Sequence, residues 1–260
     1  MYMRITVLGC WAPYPRAGGA CSGYVVQDAN ANVVIDMGNG TFSNLCRLFD
    51  FRTIRAVILT HLHPDHCADI DCLRHAIEGS IRDGTRRQGQ IPLLLPGNPQ
   101  DLASRLASYQ KVFNSIFIED LPLEEVPPGV KARVFELGNV RYYFLPTEHS
   151  LPSYAVGVEG SGYFVYTGDS APTEELALFA KRADILLSEA SGLDEDSDYV
   201  QGIHMTARQA GELARKADAK ELIITHFWPE YNLEELRSQA QEGYGKSVEL
   251  ATEGDTYFVY

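Results

Sequence analysis

Nowhere in these 260 residues is there an apolar run of transmembrane length, and Met1-Tyr2-Met3-Arg4-Ile5 does not read as a basic region leading into a secretory core. No membrane partner is expected, and a cytoplasmic location is the default. Basic residues are scarce. The 22 of them against 35 acidic ones leave a formal charge of -13, which repels extended polyanions unless a local basic patch or bound cations intervene. Nucleic acid is therefore a disfavoured bulk partner. Cysteine is sparse too: Cys10, Cys21, Cys46, Cys67 and Cys72 are odd in number, contain no CxxC, and sit in a chain too large to need disulfide staples. Most of them read as small buried thiols. No serine stands in a GxSxG context, and neither Gly18-Gly19 nor Gly38-x-Gly40 carries the lysine or the glycine-spaced helix start of a nucleotide loop. A hydrophobic fraction of 45% excludes the disordered class and permits a substantial core.

The apolar segments alternate in type. Arg4 to Gly9, Gly23 to Gln27 and Asn32 to Asp36 read as closely spaced strands of a meandering sheet. A short helix over Phe42 to Phe49 precedes a strand over Ala56 to Thr60, whose apolar character suits burial on both faces. Then follow a helix over Ala68 to Glu78, a polar loop over 82–89, a strand over Ile91 to Leu95 and a surface helix over Pro99 to Lys111. The second half repeats the style, with strands near 130–135, 140–146, 153–158 and 163–166 and a helix over Pro172 to Lys181. An apolar run over Asp184 to Leu187, a helix over Thr206 to Ala217, a strand over Glu221 to Thr225, a helix over Leu233 to Gln241 and a strand over Thr256 to Tyr260 complete the pattern. Helices outside two strand-rich halves imply an α+β, four-layer αββα sandwich.

Against this background one segment stands out. His61-Leu62-His63-Pro64-Asp65-His66 places three imidazoles and a carboxylate within six residues, at the end of a strand. Imidazole and carboxylate donors suit zinc, with iron and manganese compatible, and two divalent ions can be served from one such loop. Further ligands are expected at other strand ends. His149 follows Tyr142-Tyr143-Phe144-Leu145-Pro146, Asp169 follows Tyr163-Phe164-Val165-Tyr166-Thr167-Gly168, and His226 follows Leu222-Ile223-Ile224-Thr225. Cys67 adjoins this set, but the imidazoles already suffice; His75 reads as a surface or satisfied core residue.

The motif His61-x-His63-x-Asp65-His66, with His149, Gly168-Asp169 and His226, resembles the metal motifs of the metallo-beta-lactamase superfamily over essentially the whole chain. That resemblance implies one αββα domain over residues 1–260, made of two similar αβ halves. It further implies a first metal on His61, His63 and His149, a second on Asp65, His66 and His226, and Asp169 bridging them. Asp36, after Val33-Val34-Ile35, matches the family's early aspartate that supports the metal loop from behind. Within the superfamily, Val7-Leu8-Gly9, Arg16, Asp36-Met37-Gly38-Asn39-Gly40-Thr41 and Leu222-Ile223-Ile224-Thr225-His226-Phe227 look like the ribonuclease Z and phosphodiesterase branch. So do Glu189-Ala190 and His204-Met205-Thr206-Ala207, where the family's glutamate orients a histidine that protonates the departing oxygen. Ser188 departs from the branch, which usually has a histidine there. A second departure is larger: ribonuclease Z enzymes carry a long transfer RNA-gripping arm between the equivalents of His149 and Asp169, and here only the 19 residues 150–168 lie between them.

These features imply a dinuclear metal-dependent hydrolase, a phosphodiesterase acting on a small phosphodiester or nucleotide, with Asp65 orienting the attacking water and His204, held by Glu189, as the acid. A ribonuclease Z-like RNA 3′-end endonuclease is disfavoured by the missing arm and the acidic balance. Arg82, Arg86 and Arg87 could still bind phosphate, or else form a solvated loop. A lactone or thioester hydrolase and a metal-stabilised binding protein are the other readings. For Glu189 and His204 the plainer alternative is a structural hydrogen-bonded pair; Met205 and Phe227 read as packing. A homodimer is compatible with the resemblance.

Overall fold

The structure, a computed structural model, describes residues 2–28, 31–86, 89–126 and 129–260. The first half of the chain forms β1 (Met3–Gly9), β2 (Gly23–Asp28), β3 (Ala31–Ile35), α1 (Thr41–Leu48), β4 (Ile54–Ile58), α2 (Pro64–Cys67), α3 (Ile70–Arg82), β5 (Ile91–Leu95), α4 (Gln100–Ala107) and β6 (Phe113–Phe117). The second half forms β7 (Leu123–Val126), β8 (Val130–Leu137), β9 (Val140–Thr147), β10 (Ser153–Glu159), β11 (Tyr163–Tyr166), α5 (Glu174–Phe179), β12 (Ile185–Glu189), α6 (Ser197–Val200), α7 (Ala207–Ala217), β13 (Glu221–Thr225), α8 (Leu233–Tyr244), β14 (Glu249–Leu250) and β15 (Thr256–Val259).

Two sheets result, ordered β15-β1-β2-β3-β4-β5-β6 and β14-β13-β12-β11-β10-β9-β8-β7. Each changes from antiparallel to parallel pairing partway across, at β3/β4 in the first and β11/β12 in the second. The last strand, β15, leaves the second half and closes the first sheet against β1. This is the expected αββα sandwich. Its cause is visible in the strand sequences. On β3 Val33 and Ile35 join the large core between the sheets while Val34 joins a second core under the first helical layer; on β4 Ala56 and Ile58 divide from Val57 in the same way. Period-two alternation therefore separates two apolar cores rather than core from solvent, and the strands read as continuous hydrophobic runs.

Where the elements differ from the sequence-based expectation, local chemistry accounts for it. The helix expected from Pro172 starts at Glu174 because the Thr173 hydroxyl caps it, accepting from Leu176 N at 3.1 Å. The expected helix over Ala68 to Glu78 is preceded by the separate short helix α2, with Pro64 in its first turn. Edge strands β6 and β7 were not expected: Asn114 and Ser115 interrupt one apolar run, and Glu124 and Glu125 make the other look like a solvated turn. The interval between His149 and Asp169 is the plain hairpin of β10 and β11, with no protruding arm. No helix among the described residues is long and apolar enough to cross a membrane.

Candidate metal centre

All seven expected ligands meet at one rim of the sandwich. Their ring nitrogens and carboxylate oxygens form two compact groups, His61, His63, His149 and Asp169 in one, and Asp65, His66 and His226 in the other. His61 and His63 lie on the extended segment after β4, whereas Asp65 and His66 occupy the first turn of α2, so the change from strand to helix turns consecutive side chains toward different groups. Asp36 anchors this segment. Its buried carboxylate accepts from Thr60 N and from His66 Nδ1, both at 2.8 Å, and from the Thr60 hydroxyl at 2.8 Å. Backbone bonds from Met37 N to His66 O (2.7 Å) and from Asp69 N to Met37 O (2.8 Å) complete the clamp. A Cβ at Gly38 would sit 2.0 Å from the Asp65 carbonyl oxygen, so only glycine lets the loop close on this turn.

The opposite wall comes from strand ends. Asp169 follows Gly168, whose φ of 57° turns the chain out of β11, and His226, at φ 64°, does the same after β13. Left-handed backbone at Asp36 (φ 60°) and His226, neither of them glycine, marks strain held by the surrounding structure at this rim.

Proton placement shows what the cluster can accept. His66 Nδ1 donates to Asp36, His149 Nδ1 donates to the Ile203 carbonyl at 2.8 Å, and His226 Nδ1 donates to Ser191 Oγ at 2.7 Å, whose own hydroxyl is given to Glu189 Oε2. His61 Nδ1 donates to Thr60 Oγ1 at 3.1 Å. With these protons turned outward, neutral rings present Nε2 lone pairs inward. Yet His66 Nε2 and His226 Nε2 are 3.2 Å apart, and His63 Nδ1 lies 3.0 Å from His61 Nε2 and 3.1 Å from His149 Nε2. Converging lone pairs at such distances repel unless a cation or an extra proton lies among them.

Asp169 divides itself between the groups. Oδ2 faces His61 Nε2 (3.5 Å) and His149 Nε2 (3.8 Å), while Oδ1 faces His66 Nε2 (3.2 Å) and His226 Nε2 (3.1 Å). Oδ1 is nonetheless buried without a hydrogen-bond partner. A buried orphan acceptor amid inward lone pairs is the arrangement that two divalent cations would satisfy, and the mixed nitrogen and oxygen donors fit zinc, iron or manganese.

Without such ions, protons must balance the carboxylates. Burial alone would depress the His226 imidazolium, but Asp169 and Asp65 beside it outweigh that and push it up to about 10. At His66 burial is likewise outweighed, by Asp169, Asp36 and Asp65. His61, buried and next to these charged rings, is held well below the ordinary histidine range. Burial opposes ionisation of Asp169, but the surrounding rings win and keep it well below the usual carboxylate range.

His204 and Glu189 stand beside this centre. Glu189 is fully buried at the end of β12 and accepts from Ser170 N (2.6 Å), His204 Nδ1 (3.0 Å) and Ser191 Oγ. His204 precedes α7, whose start is fixed by a reciprocal cap between Thr206 and Gln209. Burial disfavours its charged form, but Glu189 raises its pKa above the ordinary value. Its nitrogen also lies in a loose group with Asp169 and His226, but Nδ1 is 3.9 Å from the Asp169 carboxylate against 3.0 Å from Glu189. Asp65, Asp169, His204 and His226 open onto one cavity of about 380 Å³, within the range that takes a small-molecule ligand.

Other residues singled out in the sequence fall elsewhere. Arg86 is buried and its guanidinium donates to the backbone carbonyls of Arg52 and Ile54, so it braces β4 instead of binding phosphate. Arg82 is exposed and away from the cavity lining, and Arg87 lies outside the described residues. Cys67 directs its thiol to the Leu62 carbonyl at 3.6 Å; Cys10 and Cys21 are also buried, while Cys46 and Cys72 are exposed. His75 is on the surface of α3. Ser188 is buried against Met205 and lines no part of the cavity; Phe227 is core. Ser191 and Trp228 escaped the sequence reading. Their one signal is position, two residues after Glu189 and two after His226.

Comparison with known proteins agrees with this fold. Residues 31–227 match the family model described as a beta-lactamase superfamily domain. The chain is 30% identical to the probable metallo-hydrolase YhfI of Bacillus subtilis over 254 residues, 97% of this chain and 98% of that protein. The crystal structure of the metallo-beta-lactamase fold protein YhfI from that organism superposes with a TM-score of 0.89 at 28% identity, covering 99% of this chain and 100% of the other. The short form of human tRNase Z shares the fold with a TM-score of 0.75 at 21% identity, covering 99% of each chain.

Proposed function

The chain belongs to the metallo-beta-lactamase superfamily, and from that premise we propose that it is a dinuclear metal-dependent phosphodiesterase that hydrolyses a small phosphodiester or nucleotide by direct attack of water. His61, His63 and His149 would hold one ion, Asp65, His66 and His226 the other, with Asp169 shared; zinc suits these donors best. When bound, the two cations supply an acidified water and neutralise the phosphoryl oxygens.

The residues do the rest. Asp65, at the cavity wall, orients the attacking water and takes its proton as the new P–O bond forms. His204, its Nδ1 fixed by Glu189, presents Nε2 to the leaving oxygen and gives it a proton as the old P–O bond breaks. Glu189 beside it raises the His204 pKa above the ordinary histidine value, which favours the protonated form that an acid requires. The observation that carries this reading is His204, held from behind by the buried Glu189, facing the same cavity as members of both ligand groups. A thioester hydrolase could use the same metals but expels a thiolate, which needs no such acid; a lactone hydrolase would use both. Residues 1–260 are taken as one domain working in the cytoplasm.

Metal analysis coupled to a substrate panel tests the reading. The metal-loaded protein should cleave bis-p-nitrophenyl phosphate and small nucleotide diesters ahead of precursor transfer RNA and simple lactones. Preference for precursor transfer RNA or exclusive lactone cleavage would reverse it, and failure on the whole panel would leave a metal-stabilised binding protein.

A further inference from the structure

The cavity holds one feature that the hydrolytic chemistry does not use. Among the described residues that line it, the only cationic side chains are histidines; no lysine or arginine is present to meet charge beyond the scissile phosphoryl. The remaining wall is apolar and aromatic, with Pro13, Tyr199, Val200, Ile203 and Trp228. In a molecule of net charge -13, such a wall selects against a substrate with several phosphates.

Trp228 is held in place from behind. Tyr14 meets its ring edge-on at 6.2 Å and Tyr231 lies 6.3 Å away. Arg16 donates to the Pro229 carbonyl (2.7 Å) and the Tyr231 carbonyl (2.9 Å) while its guanidinium covers Trp11 at 4.4 Å, which locks the turn that follows His226. Burial of Phe227 against Trp11 sends the next side chain outward, to the cavity. Tyr199, on α6, lines the same cavity with 72% of its surface exposed, a large apolar area left in water. The Ile203 carbonyl that fixes His149 ties this segment to the metal centre. A rigid indole and an open phenol beside the reacting centre form a surface for a flat π system.

We propose that Trp228, with Tyr199, stacks a nucleobase attached to the scissile phosphodiester, so that the substrate is a singly charged diester carrying one planar aromatic ring system. This rests on the phosphodiesterase reading and narrows it. The kinetic test compares adenosine 3′,5′-cyclic phosphate with the same cyclic ribose phosphate lacking the base. Trp228→Ala should lower the ratio of their kcat/KM values by roughly ten-fold or more, through KM of the base-bearing diester, and Trp228→Phe should restore most of it. Equal losses on both substrates, or an unchanged ratio, overturn the stacking role. If Trp228→Ala does not fold, Tyr199→Ala at its exposed position carries the same ratio test.

A second readout needs no turnover. The chain has two tryptophans, and Trp11 is only 9% exposed beneath Arg16. Adenosine 5′-monophosphate added to the metal-loaded protein should quench tryptophan fluorescence, ribose 5-phosphate should not, and the quench should vanish in Trp228→Phe. Quenching that is equal for both probes, or that survives Trp228→Phe, contradicts the proposal. If neither diester is hydrolysed, the phosphodiesterase reading fails and the fluorescence decides the stacking by itself.

Discussion

His61, His63, Asp65 and His66 come from six consecutive residues, whereas His149, Asp169 and His226 come from three separate strand ends between residues 149 and 226. The first wall is set by one carboxylate: Asp36 at the end of β3 holds both the Thr60 backbone and the His66 ring. The second has a carboxylate of its own. Glu189 at the end of β12 holds His204 directly and reaches His226 through Ser191. β3 carries the change from antiparallel to parallel pairing in its sheet, and β12 is the first strand past that change in the other. The two halves thus use one device, a buried strand-end carboxylate, for different ends: one steadies the His61–His66 segment, the other joins His226 to His204, the proposed proton donor.

This comparison breaks most sharply at His204. His204→Ala should lower turnover by about 10²- to 10⁴-fold, the usual contribution of a positioned acid, with metal content preserved. If metal content collapses and turnover per bound metal is unchanged, His204 is a ligand and the two carboxylates do the same work. Asp36→Ala should act in the reverse sense. Removing the acceptor of a buried charged ring costs about 3 to 5 kcal/mol of stability, read by urea unfolding, and metal affinity should fall by roughly 10- to 100-fold. Unaltered metal affinity would show that the loop needs no anchor.

How legible each wall was in the sequence follows from the same contrast. The compact wall is a local pattern, and its six residues announce a metal site unaided. His149, Asp169 and His226 were recognisable because each ends an apolar strand and fits a family resemblance; nothing local distinguishes His149 from any polar residue after a strand. Ser191 and Trp228 were not legible. A serine between β12 and α6 means something only once β13 brings His226 beside it, and the outward turn of Trp228 depends on Phe227 entering the core. Strands β6 and β7 were missed for a related reason, since half-buried edges mix polar and apolar residues as loops do.

Two smaller effects sharpen the comparison. Ser191→Ala should weaken one of two bound ions about ten-fold by isothermal titration, leaving the other untouched, and Ser191→Thr should restore it. Equal weakening of both ions, or of neither, would remove the relay between Glu189 and His226. In the metal-free protein the raised His226 pKa, about 10 against an unfolded value near 6.5, gives stability that is full below pH 6.5 and lost as pH rises through 10. Metal must displace that proton. Uptake at pH 7 should therefore release protons, seen as a dependence of the calorimetric heat on buffer ionisation enthalpy, and should tighten as pH rises; buffer-independent heats would contradict this.

The central claim is that two cations share Asp169 between the local and the dispersed wall. Anomalous diffraction from crystals grown with zinc tests it most directly. Two peaks are predicted, one among His61, His63 and His149 and one among Asp65, His66 and His226, with an Asp169 oxygen on each. A single peak, or peaks away from Asp169, would contradict the account.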